Sequence, residues 1–163
     1  LIPANAIHVF THDSIGLGED GPTHQPVEHM ASLRYIPNNE VWRPCDAVES
    51  AVSWAEAIKR RGGPSCVIFS WTNLVHHPRS PQQLADIARC SYVLFESKPG
   101  TCDVILIGTG SELDLAVQAS KQLAEQGIHA RVVSMPSTTR FDKQDAAYRE
   151  SVLPSSCKKR VAV

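Results

Sequence analysis

The chain is predicted to be an α/β protein with largely parallel sheets, and three observations carry that prediction. Short apolar segments rich in Val and Ile recur along it, amphipathic helical patterns separate them, and the connections are short. At 163 residues, 42% hydrophobic and 20% charged, it has the composition of a packed globular chain. Sixteen Lys and Arg against seventeen Asp and Glu leave a net charge of -1, so no broad field favours nucleic acid or an anionic membrane, and neither is expected as a partner. The longest plain apolar run, Val104 to Ile107, falls far short of the roughly 20 residues a membrane-spanning helix needs. Five cysteines (Cys45, Cys66, Cys90, Cys102, Cys157), odd in number and without C-x-x-C spacing, read as buried free thiols of a cytoplasmic protein.

The expected strands are Ile7 to Phe10, Cys66 to Ser70, Asp103 to Ile107, Arg131 to Ser134 and Arg160 to Val163. The clearest helix runs from Asp46 to Arg61. Asp46 is a natural N-cap, Val48, Ala51, Val52, Ala55 and Ile58 recur on one face predicted to be buried, and Gly62 stops it. A second helix is expected to open at Ser111, turn Leu113, Ala116, Val117 and Ala124 inward and end near Gly127, and a third to span Asp142 to Leu153 before Pro154. The stretch from His76 to Thr101, with three prolines, a short helical piece around Gln82 to Ala88 and a Lys-Pro-Gly turn, reads as a connection between two incomplete α/β lobes.

Polar chemistry concentrates directly after the first strand, in Thr11-His12-Asp13-Ser14-Ile15-Gly16-Leu17-Gly18-Glu19-Asp20-Gly21-Pro22-Thr23-His24-Gln25-Pro26. Ligands of α/β sheets bind outside the carboxyl ends of strands, and glycines let a loop backbone approach them closely. The alternatives are a solvated turn and a metal set of His12, Asp20 and His24. Recognition of sugar hydroxyls uses the same residue types, since imidazole donates or accepts and carboxylate accepts. Gly108-Thr109-Gly110-Ser111 reads as a tight turn with a Ser cap, or as an anion seat at a helix start. His76 and His77 are expected to face solvent, as is the basic cluster Lys158, Lys159, Arg160.

The sixteen-residue segment THDSIGLGEDGPTHQP closely resembles the signature of transketolases, thiamine diphosphate-dependent enzymes of the pentose phosphate pathway. WRPCDAVESAV, LADIARCSYVL, LIGTGSELDLAV, RVVSMPSTTRFDKQDAAYRESVLP and the final RVAV resemble the same family in the same order. Deoxyxylulose phosphate synthase shares a DGPTH element but not the preceding THDSIGLGE; dihydroxyacetone synthase is a closer alternative, and a non-catalytic partner-binding module is another.

The resemblance implies part of a longer enzyme. Residues 1–75 would be the later portion of the pyrimidine-binding domain, 76–101 an interdomain linker, and 102–163 the start of a three-layer α/β C-terminal domain. The complete enzyme would be a homodimer using thiamine diphosphate and Mg2+ on sugar phosphates; the residues holding cofactor and metal would lie outside this chain, leaving it inactive alone. By the same resemblance, His24 would bond substrate hydroxyls and help in proton transfer, Asp20 would read the hydroxyl beside the reacting carbonyl, and His12 would help hold the sugar phosphate. One departure stands out: Ser70-Trp71-Thr72-Asn73-Leu74 replaces the family's Ser-Arg-Gln-Asn-Leu, which puts Trp71 where a phosphate-binding arginine is expected.

Overall fold

The computed structural model describes residues 4–14, 16 and 18–163; the start of the expected approach to the first strand, and Ile15 and Leu17 of the signature, lie outside the described residues. In chain order come β1 (Ile7–Phe10), α1 (His29–Tyr35), β2 (Glu40–Trp42), α2 (Ala47–Lys59), β3 (Ser65–Ile68), α3 (Pro81–Ile87), β4 (Tyr92–Glu96), β5 (Val104–Gly108), α4 (Leu113–Glu125), β6 (Ala130–Ser134), α5 (Thr138–Phe141), α6 (Ala146–Val152) and β7 (Arg160–Ala162). They form two sheets, β1-β3-β2 and β4-β6-β5-β7. Every pairing is parallel except β4 with β6. The fold is α/β, as the alternating pattern predicts.

Parallel strands buried on both faces alternate their side chains between two cores. In the second sheet Leu106 and Val132 pack with Leu113, Ala116 and Val117 of α4. Their neighbours Ile105 and Val133 face the other way, onto Phe141 and Val152 of α5 and α6. Helix, sheet and helix thus make three layers. In the first sheet Trp42 and Val67 build one core with Ala57 of α2, and Val41, Cys66 and Ile68 build the other with Met30 and Leu33 of α1.

The structure departs from the sequence-based expectations at several places. The sequence reading includes neither β2 nor β4. β2 is three residues long and opens on a charged group; it is buried because Glu40 accepts from Trp42 Nε1 at 2.9 Å and from Arg60 Nη1 at 2.9 Å. β4 lies in the proline-bearing stretch expected to be a connection, yet it pairs with β6 in the second sheet. The stretch's helix α3 is opened by a capping box between Ser80 and Gln83.

The buried face of α2 is not the predicted one. Ala51, Ala55 and Ile58 are exposed, Val48 and Val52 half-buried, and Glu49, Ser53, Glu56 and Ala57 turn inward. Charges go inside there because the second lobe supplies partners for them: Arg79, Tyr92 and Ser134 for Glu49, and Arg140 for Glu56. The helix expected over Asp142 to Leu153 is α6 alone and starts later than expected, because the Asp145 side chain accepts from Tyr148 N and sets its first turn. Ser111 makes no cap: residues Gly110–Glu112 form a 3₁₀ turn, α4 begins at Leu113, and the Ser111 hydroxyl points elsewhere. His77 is buried rather than solvent-facing, its N–H donating to Asp46 Oδ2 at 3.3 Å, and burial pushes its imidazole below the ordinary value. His76 stays largely exposed.

Candidate functional site

The carboxyl end of β1 delivers Thr11, His12 and Asp13, and the neighbouring end of β3 delivers Ser70 and Trp71. A 3₁₀ turn, Gly21–His24, then folds back beside them. His12 and His24 lie with ring centroids 5.1 Å apart, and the His12 ring stacks on Trp71 at 5.5 Å. His12 Nε2 is 3.1 Å from Asp20 Oδ2 and its Nδ1 is 3.2 Å from Thr11 Oγ1. An ionised carboxylate only accepts, so Nε2 carries the proton toward Asp20; in the neutral ring Nδ1 then accepts from Thr11. His24 uses Nδ1 against Thr23 Oγ1 at 2.8 Å, which leaves Nε2 out of that bond.

The two histidines line a cleft of about 580 Å³ together with polar Thr11, Gln25 and His29 and apolar Val9, Phe10, Met30, Leu33 and Ile68. A cleft with apolar side chains and a few imidazole and amide groups suits a small polar molecule with a hydrocarbon face. Structure therefore brings together the three residues singled out in the sequence: His12 and His24 meet the cleft directly, and Asp20 reaches it through His12. Magnesium and a diphosphate need clustered oxygen ligands. Among the described residues no group of three or more His, Cys, Asp or Glu is placed to hold a metal ion.

Asp13 of this loop belongs to a buried network centred on Arg43, a residue the sequence reading passed over. Arg43, just after β2, donates from Nε to Asp13 Oδ2 at 3.0 Å, from Nη2 to Ser111 Oγ at 3.0 Å and from Nη1 to the Thr109 carbonyl at 3.2 Å; Nη1 also pairs with Glu112 Oε2 at 2.5 Å. A second buried network ties α2 to the other lobe. Glu49 accepts from Cys45 N at 2.9 Å, Tyr92 Oη at 2.8 Å and Ser134 Oγ at 2.5 Å, while Arg79 donates to Asp46 Oδ2 at 2.6 Å. Burial pushes the Tyr92 hydroxyl and the Cys45 thiol up, and Glu49 adds to both shifts, so both stay protonated. The only sequence signal for either network is charged residues inside or beside apolar segments, such as Glu40 and Arg43 around Val41-Trp42.

Two α/β lobes with a histidine-bearing cleft at strand carboxyl ends define the class of this chain. Comparison with known proteins narrows this class. Residues 2–76 match the family model for the transketolase pyrimidine binding domain, and 91–163 that for the transketolase-like C-terminal domain. Transketolase 1 of Vibrio vulnificus is 61% identical over 163 residues, all of this chain and 24% of that protein. The structure of a Leishmania mexicana transketolase superimposes with a TM-score of 0.87 at 40% identity, over 99% of this chain and 23% of that one. A Pichia stipitis transketolase in complex with sedoheptulose-7-phosphate gives 0.82 at 38% identity, over 94% and 25% of the two chains. The chain belongs to the transketolase family, and it spans about a quarter of the length of the relatives it matches.

Proposed function

We propose that these 163 residues are the sugar-handling portion of a thiamine diphosphate-dependent transketolase, a cytoplasmic homodimer that moves a two-carbon ketol unit from a ketose phosphate to an aldose phosphate. The observation that carries this reading is the convergence of His12 and His24 on one cleft with Asp20 bonded to His12. A ketose or aldose is a chain of carbons bearing neighbouring hydroxyls, and the cleft offers imidazole and amide groups among apolar side chains. The complex of the Pichia stipitis relative with a sugar phosphate supports the same ligand class.

Each residue then has a role that its chemistry allows. His24, at the end of an exposed turn with Nε2 outside its bond to Thr23, exchanges a proton with a substrate hydroxyl. Asp20 accepts from the hydroxyl beside the reacting carbonyl, and His12 holds the far end of the sugar. Bond-making at the carbonyl belongs to the cofactor. The test exchanges these residues for the matching stretch of the Vibrio vulnificus enzyme. The exchanged enzyme is expected to retain ketol transfer, and His24→Ala in it to lower kcat about a hundredfold or more. An undiminished kcat would remove His24 from the chemistry.

A further inference from the structure

Among the described residues from Thr11 to His24, Asp13 alone is buried. Among these described residues the anchor of the loop in the protein interior is thus the residue next to His12. Its carboxylate is gripped by a single cation: Nε and Nη2 of Arg43 lie 3.0 and 2.9 Å from Asp13 Oδ2. Arg43 in turn is pinned to the second lobe at both ends. Its backbone N–H donates to the Pro136 carbonyl at 2.8 Å, its own carbonyl accepts from Thr109 Oγ1 at 3.4 Å, and its guanidinium meets Thr109, Ser111 and Glu112. Gly110, at φ +57°, makes the approach possible, since a Cβ there would fall 2.7 Å from Arg43 Nε. The Ser111 hydroxyl completes the bridge, 3.1 Å from Asp13 Oδ2 and 2.9 Å from Glu112 Oε1. Its one proton serves one carboxylate at a time, so the guanidinium is the constant link between them.

We infer that Arg43 is a positioning residue for His12, acting through Asp13, so that the docking of the second lobe sets where the His12 ring stands in the cleft. Buried side chains carrying several charge-assisted bonds hold their geometry far better than the exposed residues around them. Peptide planarity passes the position of Asp13 directly to its neighbour. Thr11, Asp20 and Trp71 then fix the His12 ring. The inference takes from the proposed function that His12 binds sugar.

The test uses a complete enzyme carrying these residues. Arg43→Lys keeps the charge but not the fork that grips Asp13, and is expected to raise KM for the sugar about tenfold with kcat changed less. In a His12→Ala background the same change should add nothing further, because the effect passes through His12. Crystal structures should show the His12 ring displaced and its stack on Trp71 opened. Glu112→Gln, which leaves the grip on Asp13 in place, should act in the same direction and more weakly, and it decides the matter if Arg43→Lys does not fold. Additive losses in the double variant, or an unmoved His12 ring in the variant crystals, would overturn the inference. A His12→Ala enzyme with unchanged KM but with the ring displaced by Arg43→Lys would sink the sugar role of His12 and leave the positioning role standing.

Discussion

The indole of Trp71 lies almost parallel to the imidazole of His12, with ring centroids 5.5 Å apart and planes 9° from parallel. The indole is well exposed at the site, and the rings lie beside each other where the carboxyl ends of β1 and β3 meet. Indole has one donor and no charge, whereas the arginine of the resembling family presents a planar fork of donors. A phosphate at this end of the sugar would meet a flat aromatic surface. Loss of charge-assisted bonds worth roughly 1.5 to 3 kcal/mol corresponds to about ten- to a hundredfold in affinity.

In a complete enzyme, Trp71→Arg is therefore expected to raise kcat/KM selectively for a phosphorylated acceptor over its unphosphorylated counterpart. Parallel kinetics on the two acceptors check this. An equal change on both would mean that residue 71 does not face the phosphate.

Asp20 is bonded to His12 at 3.1 Å and is partly exposed, so it can exchange that bond for one from a sugar hydroxyl. A carboxylate placed to accept from a hydroxyl discriminates against the analogue lacking it, because its oxygen is then left unpaired. Asp20→Ala should lower kcat/KM for 2-hydroxyaldehydes at least tenfold more than for 2-deoxy acceptors. A common factor for both classes would mean that Asp20 serves only to orient His12.

How much of this was legible before the structure differs from element to element. The strands at Cys66, Val104 and Ala130 announce themselves because parallel strands buried on both faces are continuous apolar runs, and the exposed strands at Ile7 and Arg160 through their own short Val-bearing runs. The site loop is legible because polar and glycine residues crowd behind one of those strands. The inward face of α2 was not, because periodicity treats charge as a mark of solvent. Glu49 and Glu56 are buried against residues 30 or more positions away, Tyr92, Ser134 and Arg140, which no local pattern connects to them. Arg43 and Asp13 escape notice for the same reason: their ties to Ser111 span 68 and 98 residues.

The Asp46–Arg79 pair gives the stability of the chain a defined acid limb. Burial pushes the Asp46 carboxyl up, but the Arg79 guanidinium and the N–H groups of Glu49 and His77 outweigh it and hold the carboxyl below its ordinary value. A carboxyl lowered in the folded state contributes stability that is fully present above its unfolded value of about 3.9 and is lost as pH falls through the folded value. This pair should leave stability unchanged between about pH 6 and 8 and weaken it below about pH 4. Arg79→Met, which strands two buried carboxylates, should cost about 3 to 5 kcal/mol at neutral pH. Urea unfolding midpoints across pH measure both, and a neutral-pH midpoint unmoved by Arg79→Met would refute the assignment.

The last expectation concerns the chain in isolation. Under the proposed function, the diphosphate and its magnesium are held by parts of the enzyme other than these residues. The apolar side chains of the cleft could still shelter one face of a ring, but burying part of a heterocycle contributes little without its charged end. Calorimetry with thiamine diphosphate and magnesium on the 163-residue chain should therefore show no binding tighter than about millimolar, and ketol transfer by the chain alone should be undetectable. Grafted into the Vibrio vulnificus enzyme, the same residues should restore both. Micromolar binding by the isolated chain would require a cofactor site built from these residues, and the division of labour proposed between sugar and cofactor would fail.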